Sequence, residues 1–238
     1  MQQRGGQLLV TARGSGQLSA SRLIARVPRR AVQGYATTVE LPEWAKDLPP
    51  QWQAAAKPGS SYHRKMKLYF DRINFTGGGI VDIGDLTELR GFNAGSPELE
   101  AHFDRITFLF ANFWSPNKDL TGHCTYDDMI RKMILANNAG RWKNMEEFVE
   151  KTPAKVTFAL ADANGDGKIS LDEFNVFFIA HKLTPVESKP VFAELDADKD
   201  GIISREECYS AYYNWYTTPH ADEDHGPGKN LWGMVPNA

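Results

Sequence analysis

Two twelve-residue stretches carry oxygen-bearing side chains at the spacing of a calcium-binding loop. They begin at Asp162 and Asp196, and each fits the pattern D-x-[DN]-x-[DN]-G-x5-E without a mismatch. Calcium takes about six to eight oxygen ligands at about 2.3–2.6 Å, and this pattern supplies them in order along one turning segment. The sequence therefore predicts two calcium sites with the following ligands: Asp162, Asn164, Asp166, the backbone carbonyl of Lys168 and Glu173 in the first, and Asp196, Asp198, Asp200, the backbone carbonyl of Ile202 and Glu207 in the second.

The remaining loop positions support the same interpretation. Gly167 and Gly201 allow the sharp bend, and we expect Ser170 and Ser204 to act through water. An Asp- and Gly-rich surface turn is the alternative for one such stretch. Two complete matches that start 34 residues apart favour metal binding.

Apolar residues at helical spacing flank both stretches and predict the helices that position them. They are Val156, Phe158, Ala159 and Leu160, then Phe174, Phe177, Phe178 and His181 around the first, and Val191, Phe192 and Leu195, then Cys208, Ala211 and Tyr212 around the second. Ile169 and Ile203 share one loop position, and we expect them to pair in a short antiparallel strand. The pattern is that of two helix–loop–helix units with a common core.

Two degenerate copies of the same loop lie upstream. We number the four stretches in chain order as loop I (74–85), loop II (117–128), loop III (162–173) and loop IV (196–207). Loop I has Asn74, Thr76, Gly78 and Asp85 at the ligand positions and has too few oxygens to hold calcium well. Loop II keeps more donors, and we expect weak calcium or magnesium binding at most; its candidate donors are Asn117, Asp119, Thr121 and Asp128.

Outside the loops, several segments resemble the invertebrate sarcoplasmic calcium-binding proteins and calexcitin, a family with four EF-hands. They are Lys65-Met66-Lys67 before 70–73, Phe113-Trp114 before loop II, and the aromatic tail from Trp215 through 228–233. The resemblance implies an all-α fold in which four EF-hand modules form two paired lobes in one compact globule, with short β pairing between loops. It also implies calcium and often magnesium binding. Coelenterazine-binding proteins and calcium-triggered photoproteins share this architecture.

The resemblance also divides the chain. We expect an N-terminal EF-hand pair with degenerate loops at 59–140, a C-terminal pair with intact loops at 141–217 and a tail at 218–238. About sixty extra residues precede the first pair.

Residues 1–39 contain six arginines and neither lysine nor an acidic residue. Within 18–27, apolar residues would share one face of a helix and arginines the other, as in a mitochondrial presequence. The alternative is a basic tail that stays attached and touches an acidic membrane surface, with the protein in the cytoplasm. Removing the six arginines would change the formal net charge from −3 to −9, which suits a cation binder and argues against nucleic acid.

Residues 40–58 form a segment rich in proline and tryptophan that connects the presequence to the first EF-hand. Its prolines disfavour regular helix, and Pro49-Pro50 favours an extended conformation. Trp44 and Trp52 are too apolar for an ordinary linker. We expect them to dock on the EF-hand body; the alternative is a peptide presented to a partner.

Other features exclude whole classes of function. No stretch approaches the roughly 20 apolar residues of a membrane-spanning helix. Cys124 and Cys208 lack zinc spacing and are interpreted as small buried hydrophobes. His220 and His225 flank acidic residues in what we interpret as a solvated loop. No nucleophile–base arrangement is present, so we expect no enzyme activity.

Three functions fit a calcium-loaded monomer: a buffer, a sensor that exposes an apolar groove to a partner, and a carrier of an apolar small molecule. The chain has only six Met but 13 Phe, 8 Tyr and 6 Trp, which favours a filled aromatic core and therefore a buffer. Loop IV offers four ligand carboxylates and loop III three. We therefore expect loop IV to fill first.

Overall fold

Helices and two short strand pairs make up the part of the chain described by a computed structural model, namely residues 40–85, 87, 104, 107, 108, 111, 121–181, 183–219 and 228–235. In chain order the elements are a 3-10 helix at Glu43–Ala45, α1 at Pro50–Ala56, α2 at Ser61–Ile73, β1 at Ile80–Val81, β2 at Cys124–Thr125, α3 at Tyr126–Asn138, α4 at Met145–Lys151, α5 at Ala154–Ala161, β3 at Lys168–Ser170, α6 at Leu171–Ala180, α7 at Pro185–Leu195, β4 at Ile202–Ser204 and α8 at Arg205–Thr217. This composition confirms the predicted helical fold with short β pairing.

The four loops meet in pairs through their central strands. β3 and β4 are antiparallel with Ile169 opposite Ile203, which confirms the predicted pairing of loops III and IV. β1 and β2 are antiparallel with Val81 opposite Cys124, so loops I and II pair in the same way. The degenerate loops therefore retain the pairing geometry of the intact ones.

The helices that leave loops II, III and IV each begin with a reciprocal cap. The side chain of Thr125, Ser170 or Ser204 accepts a hydrogen bond from the backbone N–H three residues later, and the acidic residue there accepts one from the cap residue's N–H. Two otherwise unpaired N–H groups are satisfied at each helix start. The twelfth loop residue thus belongs to the loop and to the following helix at once.

One hydrophobic core joins the helices of both predicted pairs. It contains the apolar residues that the helical spacing selected on both sides of loops III and IV except Ala159, which is half-buried, and His181 is buried beside them. Both cysteines are buried and free, as predicted. Burial raises the pKa of each thiol to about 12, so both stay protonated near neutral pH. All described residues belong to one compact unit that spans 38–238.

The extended conformation predicted for Pro49-Pro50 is wrong at Pro50. Pro49 is extended, but Pro50 is the first residue of α1. Proline is well tolerated there because the first helical N–H has no partner inside the helix. The short α1 buries Trp52, Ala55 and Ala56 and packs against α2 and α3.

The predicted docking of the two tryptophans is confirmed. Trp52 is 7% exposed, and its ring meets that of Tyr62 edge-on with centroids 5.9 Å apart. Trp44 packs against the core, with the Arg131 guanidinium carbon 6.0 Å from its ring centroid.

The C-terminal residues 228–235 return to the same core. The Trp232 ring is 3% exposed and lies 5.1 Å from Tyr69, 5.2 Å from His181 and 5.9 Å from Tyr212, between ring centroids. Asn230 is held by Glu194 through bonds of 3.2 and 2.7 Å from its backbone and side-chain nitrogens. The tail therefore connects α2 of the N-terminal pair with α6, α7 and α8 of the C-terminal pair.

No helix in the described part of the chain is long and apolar enough to cross a membrane. The presequence, Phe113-Trp114, Asn117, Asp119 and the segment from His220 to His225 lie outside the described residues.

Candidate metal centres

The first aspartate organises each intact loop. In loop III, Asp162 accepts hydrogen bonds from the backbone N–H of Asp166 at 3.1 Å and of Gly167 at 2.9 Å. In loop IV, Asp196 accepts the equivalent hydrogen bonds from the backbone N–H of Asp200 at 3.1 Å and of Gly201 at 3.0 Å. Both carboxylates are buried and sit inside the turn of their own loop.

The third and fifth positions are held by local turns. The Asn164 side-chain oxygen accepts from Asp166 N–H at 2.8 Å, and Asp198 accepts from Asp200 N–H at 3.2 Å. The fifth residues in turn accept from the N–H groups two residues later, at 2.9 Å from Lys168 and 3.0 Å from Ile202. Asn and Asp side chains favour such turns.

The glycines at the sixth position make the bend. Gly167 has φ 82° and Gly201 has φ 88°, a left-handed conformation that residues with a Cβ rarely adopt. Lys168 and Ile202, whose carbonyl oxygens are the predicted ligands at the seventh position, lie at the first residues of β3 and β4.

The twelfth residue closes each loop from the opposite side. Glu173 accepts from the Asn164 N–H at 3.2 Å, and from the N–H and hydroxyl of Ser170 at 2.9 and 2.7 Å. Glu207 accepts from the Ala197 N–H at 2.8 Å and from the N–H and hydroxyl of Ser204, both at 2.8 Å. Both carboxylates face back over the loop that precedes them.

These hydrogen bonds also set the charge of the two glutamates. Partial burial alone would raise the pKa of Glu173 and Glu207, but the hydrogen bonds from each loop outweigh it and lower the pKa of both below the usual value. The carboxylates are therefore ionised at neutral pH, which is the form that binds a cation.

Ser170 and Ser204 have a role that the water-mediated prediction missed. Each hydroxyl accepts from the backbone N–H of the glutamate three residues later, at 3.3 and 3.2 Å, and donates to that glutamate's carboxylate. The S-x-x-E spacing of a capping box is visible in the sequence and was the available signal. The contact with a metal-bound water stays a prediction.

Loop IV also brings three carboxylates together. Oxygens of Asp196, Asp198 and Glu207 all lie within 4.8 Å of one another. Two oxygens that share a calcium ion at about 2.4 Å can be at most about 4.8 Å apart, so this trio fits one ion. Among the described residues, the three carboxylates of loop III are not gathered in this way.

Comparison with known proteins agrees with this geometry. A family model for the EF-hand domain pair matches residues 146–213. Polcalcin Bet v 4 from Betula pendula is 42% identical over 59 residues, which are 24% of this chain and 69% of the polcalcin. The chain belongs to the EF-hand family of calcium-binding proteins.

Longer EF-hand relatives and solved structures extend the match. Calerythrin from Saccharopolyspora erythraea is 25% identical over 64% of this chain and 90% of its own length. A sarcoplasmic calcium-binding protein from Hediste diversicolor is 28% identical over 48% of this chain and 66% of its own length. The coelenterazine-binding protein of Renilla muelleri superposes with a TM-score of 0.58 at 21% identity, over 74% of this chain and 97% of that one. The amphioxus sarcoplasmic calcium-binding protein superposes with a TM-score of 0.56 at 18% identity, over 74% of this chain and 98% of that one. These structures share the fold, which confirms the resemblance read from the sequence.

EF-hand loop I keeps the architecture of an intact loop without its ligands. Asp85 is fully buried and accepts from the N–H groups of Thr76 at 2.7 Å and Asp82 at 3.0 Å, just as the glutamates do in loops III and IV. Gly79 has the same φ of 82° as Gly167. The third and fifth positions offer no carboxylate, so the aspartate serves to hold the loop closed.

EF-hand loop II is described only from residue 121 onward. Asp128 forms a capping box with Thr125. Burial would raise the pKa of Asp128, but hydrogen bonds from Thr125 outweigh it and the pKa is lowered. Whether loop II holds a metal depends on donors outside the described residues and stays a prediction.

Proposed function

We propose that this protein binds two calcium ions, one in loop III and one in loop IV, and acts as a calcium buffer. The observation that supports binding is the shared hydrogen-bond pattern of the two loops, with the carboxylate trio of loop IV at the separation that one ion requires. Asp162, Asn164, Asp166, Glu173 and the Lys168 carbonyl would hold the first ion. Asp196, Asp198, Asp200, Glu207 and the Ile202 carbonyl would hold the second.

The proposal of a buffer rests on how the apolar faces of the EF-hand pairs are covered. A sensor must expose such a face so that a partner helix can bind. Here α1, from the connecting segment, lies against α2 and α3 of the N-terminal pair. Trp232 of the tail lies against the aromatic rings of Phe177 and Tyr212 of the C-terminal pair. Segments of the chain itself occupy the surface that a target helix would need.

The test is a calorimetric calcium titration, with about millimolar magnesium present, of protein that begins near Ala36 and so lacks the six N-terminal arginines. Two sites well below micromolar that magnesium weakens support the buffer. Sites near micromolar that magnesium leaves unchanged would instead support a sensor. Glu173→Gln and Glu207→Gln each replace the carboxylate of a predicted ligand with a neutral amide, which cannot bind the ion through two oxygens. Glu146→Gln makes the same charge change at an exposed position outside the loops and serves as the control. Binding of two ions by either loop variant with unchanged affinity would contradict the assigned sites.

A second candidate, the carrier of an apolar small molecule, is favoured by one observation. The indole nitrogen of Trp215 is buried and donates to no hydrogen-bond acceptor among the described residues. Buried N–H groups are usually paired, and a polar atom of a bound molecule is one way to pair this one. Organic extraction of purified protein followed by mass spectrometry tests the candidate, since a stoichiometric small molecule is expected only for a carrier.

Two further parts of the proposal concern chemistry and location. The relatives are described as calcium-binding proteins, and we propose a binding role without catalysis for this chain as well. We also propose that residues 1–39 direct import into mitochondria, on the strength of their six arginines and lack of acids. A fluorescent protein fused to residues 1–39 should reach mitochondria, and the same fusion with those arginines changed to glutamine should remain in the cytoplasm.

A further inference from the structure

Arg205 belongs to loop IV by sequence but contacts loop III in space. It is the tenth residue of loop IV and the first residue of α8. Its guanidinium carbon lies 5.2 Å from the ring centroid of Phe158 in α5, the helix that enters loop III. One of its terminal nitrogens lies 3.7 Å from the place that a Cβ on Gly167 would take. The side chain therefore reaches across the β3–β4 pair to the neighbouring loop.

This position brings a fixed positive charge close to the ligands of loop III. The Gly167 N–H donates to the Asp162 carboxylate at 2.9 Å, so the guanidinium lies beside the backbone that holds the first ligand. Stacking on Phe158 favours this orientation of the side chain. Among the described residues, no carboxylate forms an ion pair with Arg205 that would cancel its charge.

Loop IV has no counterpart of this contact. The tenth residue of loop III is Leu171, which is apolar and packs against the core. A Cβ on Gly201 would have no atom within 4 Å. The two loops share their internal hydrogen-bond pattern and differ in whether a cation from the partner loop lies against them.

We propose that Arg205 lowers the calcium affinity of loop III and so helps to make loop IV fill first. This inference rests on the proposed function, because it assumes that loop III binds calcium. The positive charge relieves repulsion among the carboxylates of the empty loop and repels the incoming dication. For a separation of roughly 8 Å in a medium close to water and at about 0.1 M salt, removal of the charge should tighten binding about two- to fivefold.

The experiment measures loop III alone, in the full chain carrying Glu207→Gln. In this background, Arg205→Gln should tighten calcium binding about threefold at low salt, and the gain should fade as the salt concentration rises to about 0.5 M. Arg205→Lys keeps the charge and should remain close to the parent. Lys57→Gln removes an equal charge from an exposed position at the end of α1 and serves as the control.

A second measurement follows each loop in the chain with both glutamates intact. The N–H groups of Gly167 and Gly201 donate to Asp162 and Asp196, so their amide proton resonances should report the filling of each loop. The Gly201 resonance should respond at a lower calcium concentration than the Gly167 resonance. Arg205→Gln should reduce the difference between these two calcium concentrations.

Several results would overturn the inference. They are an Arg205→Gln affinity equal to the parent at low salt, a gain that salt does not reduce, and an Arg205→Lys effect as large as that of Arg205→Gln. Absence of calcium binding by the Glu207→Gln protein would refute both the two-site function and this inference. Binding without an Arg205 effect would refute the inference alone.

Discussion

Replacement of Trp232 by alanine tests whether the C-terminal tail holds the EF-hand pairs together. The indole is 3% exposed and contacts rings from α2, from the end of α6 and from α8. Truncation of a buried aromatic residue to alanine typically lowers the free energy of unfolding by about 3–5 kcal/mol, because apolar burial is lost and a cavity remains. The tail can partly rearrange, so we expect about 3 kcal/mol for Trp232→Ala.

Urea unfolding of calcium-saturated protein, followed by circular dichroism, measures this loss. With a denaturant slope of about 2 kcal/mol/M, a loss of 3 kcal/mol lowers the urea midpoint by about 1.5 M. Met234→Ala changes a neighbouring tail residue that is 56% exposed and should shift the free energy by less than about 0.5 kcal/mol. The variant should also bind an apolar dye that the parent protein excludes, because the face covered by Trp232 opens.

The reasoning would be refuted by a Trp232→Ala protein whose free energy of unfolding falls by less than about 1 kcal/mol. Such a protein would show that the tail contributes little to the core. The covered C-terminal face would then no longer argue for a buffer over a sensor.

Three other predictions concern single substitutions. Burial lowers the pKa of Lys65 from 10.5 to about 7, so between those pH values the unfolded chain holds a proton that the folded chain has lost, and stability rises with pH. Urea unfolding at pH 7 and pH 10 should therefore show the parent gaining stability relative to Lys65→Met. An unchanged difference between the two proteins would contradict the lowered pKa. Gly228 has φ +106°, and a Cβ there would lie 2.5 Å from the backbone oxygen of Ala211. Gly59 also has a positive φ, but a Cβ there would meet no atom within 4 Å, so Gly228→Ala should lose more stability than Gly59→Ala. Equal thermal midpoints of the two variants would count against the close approach at Gly228. In calcium titrations, Glu207→Gln should remove the tighter of two binding steps and Glu173→Gln the weaker one, and the reverse order would disprove the predicted sequence of filling.

The geometry of the two intact loops was predictable because their predicted ligands are local in sequence. A calcium loop is a turn of twelve residues in which each ligand position follows from its distance to the first aspartate. The central glycine and the helix cap are set by the same short range, since Gly167 bends the chain and Ser170 caps the next helix within it. The pairing of Ile169 with Ile203 followed from their equal loop positions.

The same local reasoning failed where a rule allows two outcomes. Pro49-Pro50 favours an extended chain, yet proline is also suited to the first position of a helix. Which outcome holds depends on whether the residues that follow can bury an apolar face. Trp52 and Ala55 do so against α2 and α3, and that energy is not contained in the dipeptide.

The sequence by itself predicted a set of calcium ligands and determined the loop pairs and the apolar faces of the helices, because each follows from periodicity or from spacing within a few turns. Only the tertiary structure decided what those faces meet. The Tyr62 hydroxyl bonds to the Tyr216 carbonyl across 154 residues, and Trp232 reaches Tyr69 across a similar span. Arg205 belongs to loop IV in the sequence, but the pairing of β3 with β4 places its side chain beside Gly167 of loop III. Contacts of this kind depend on how helices pack after they form, and no local pattern encodes which distant partner buries the most apolar surface.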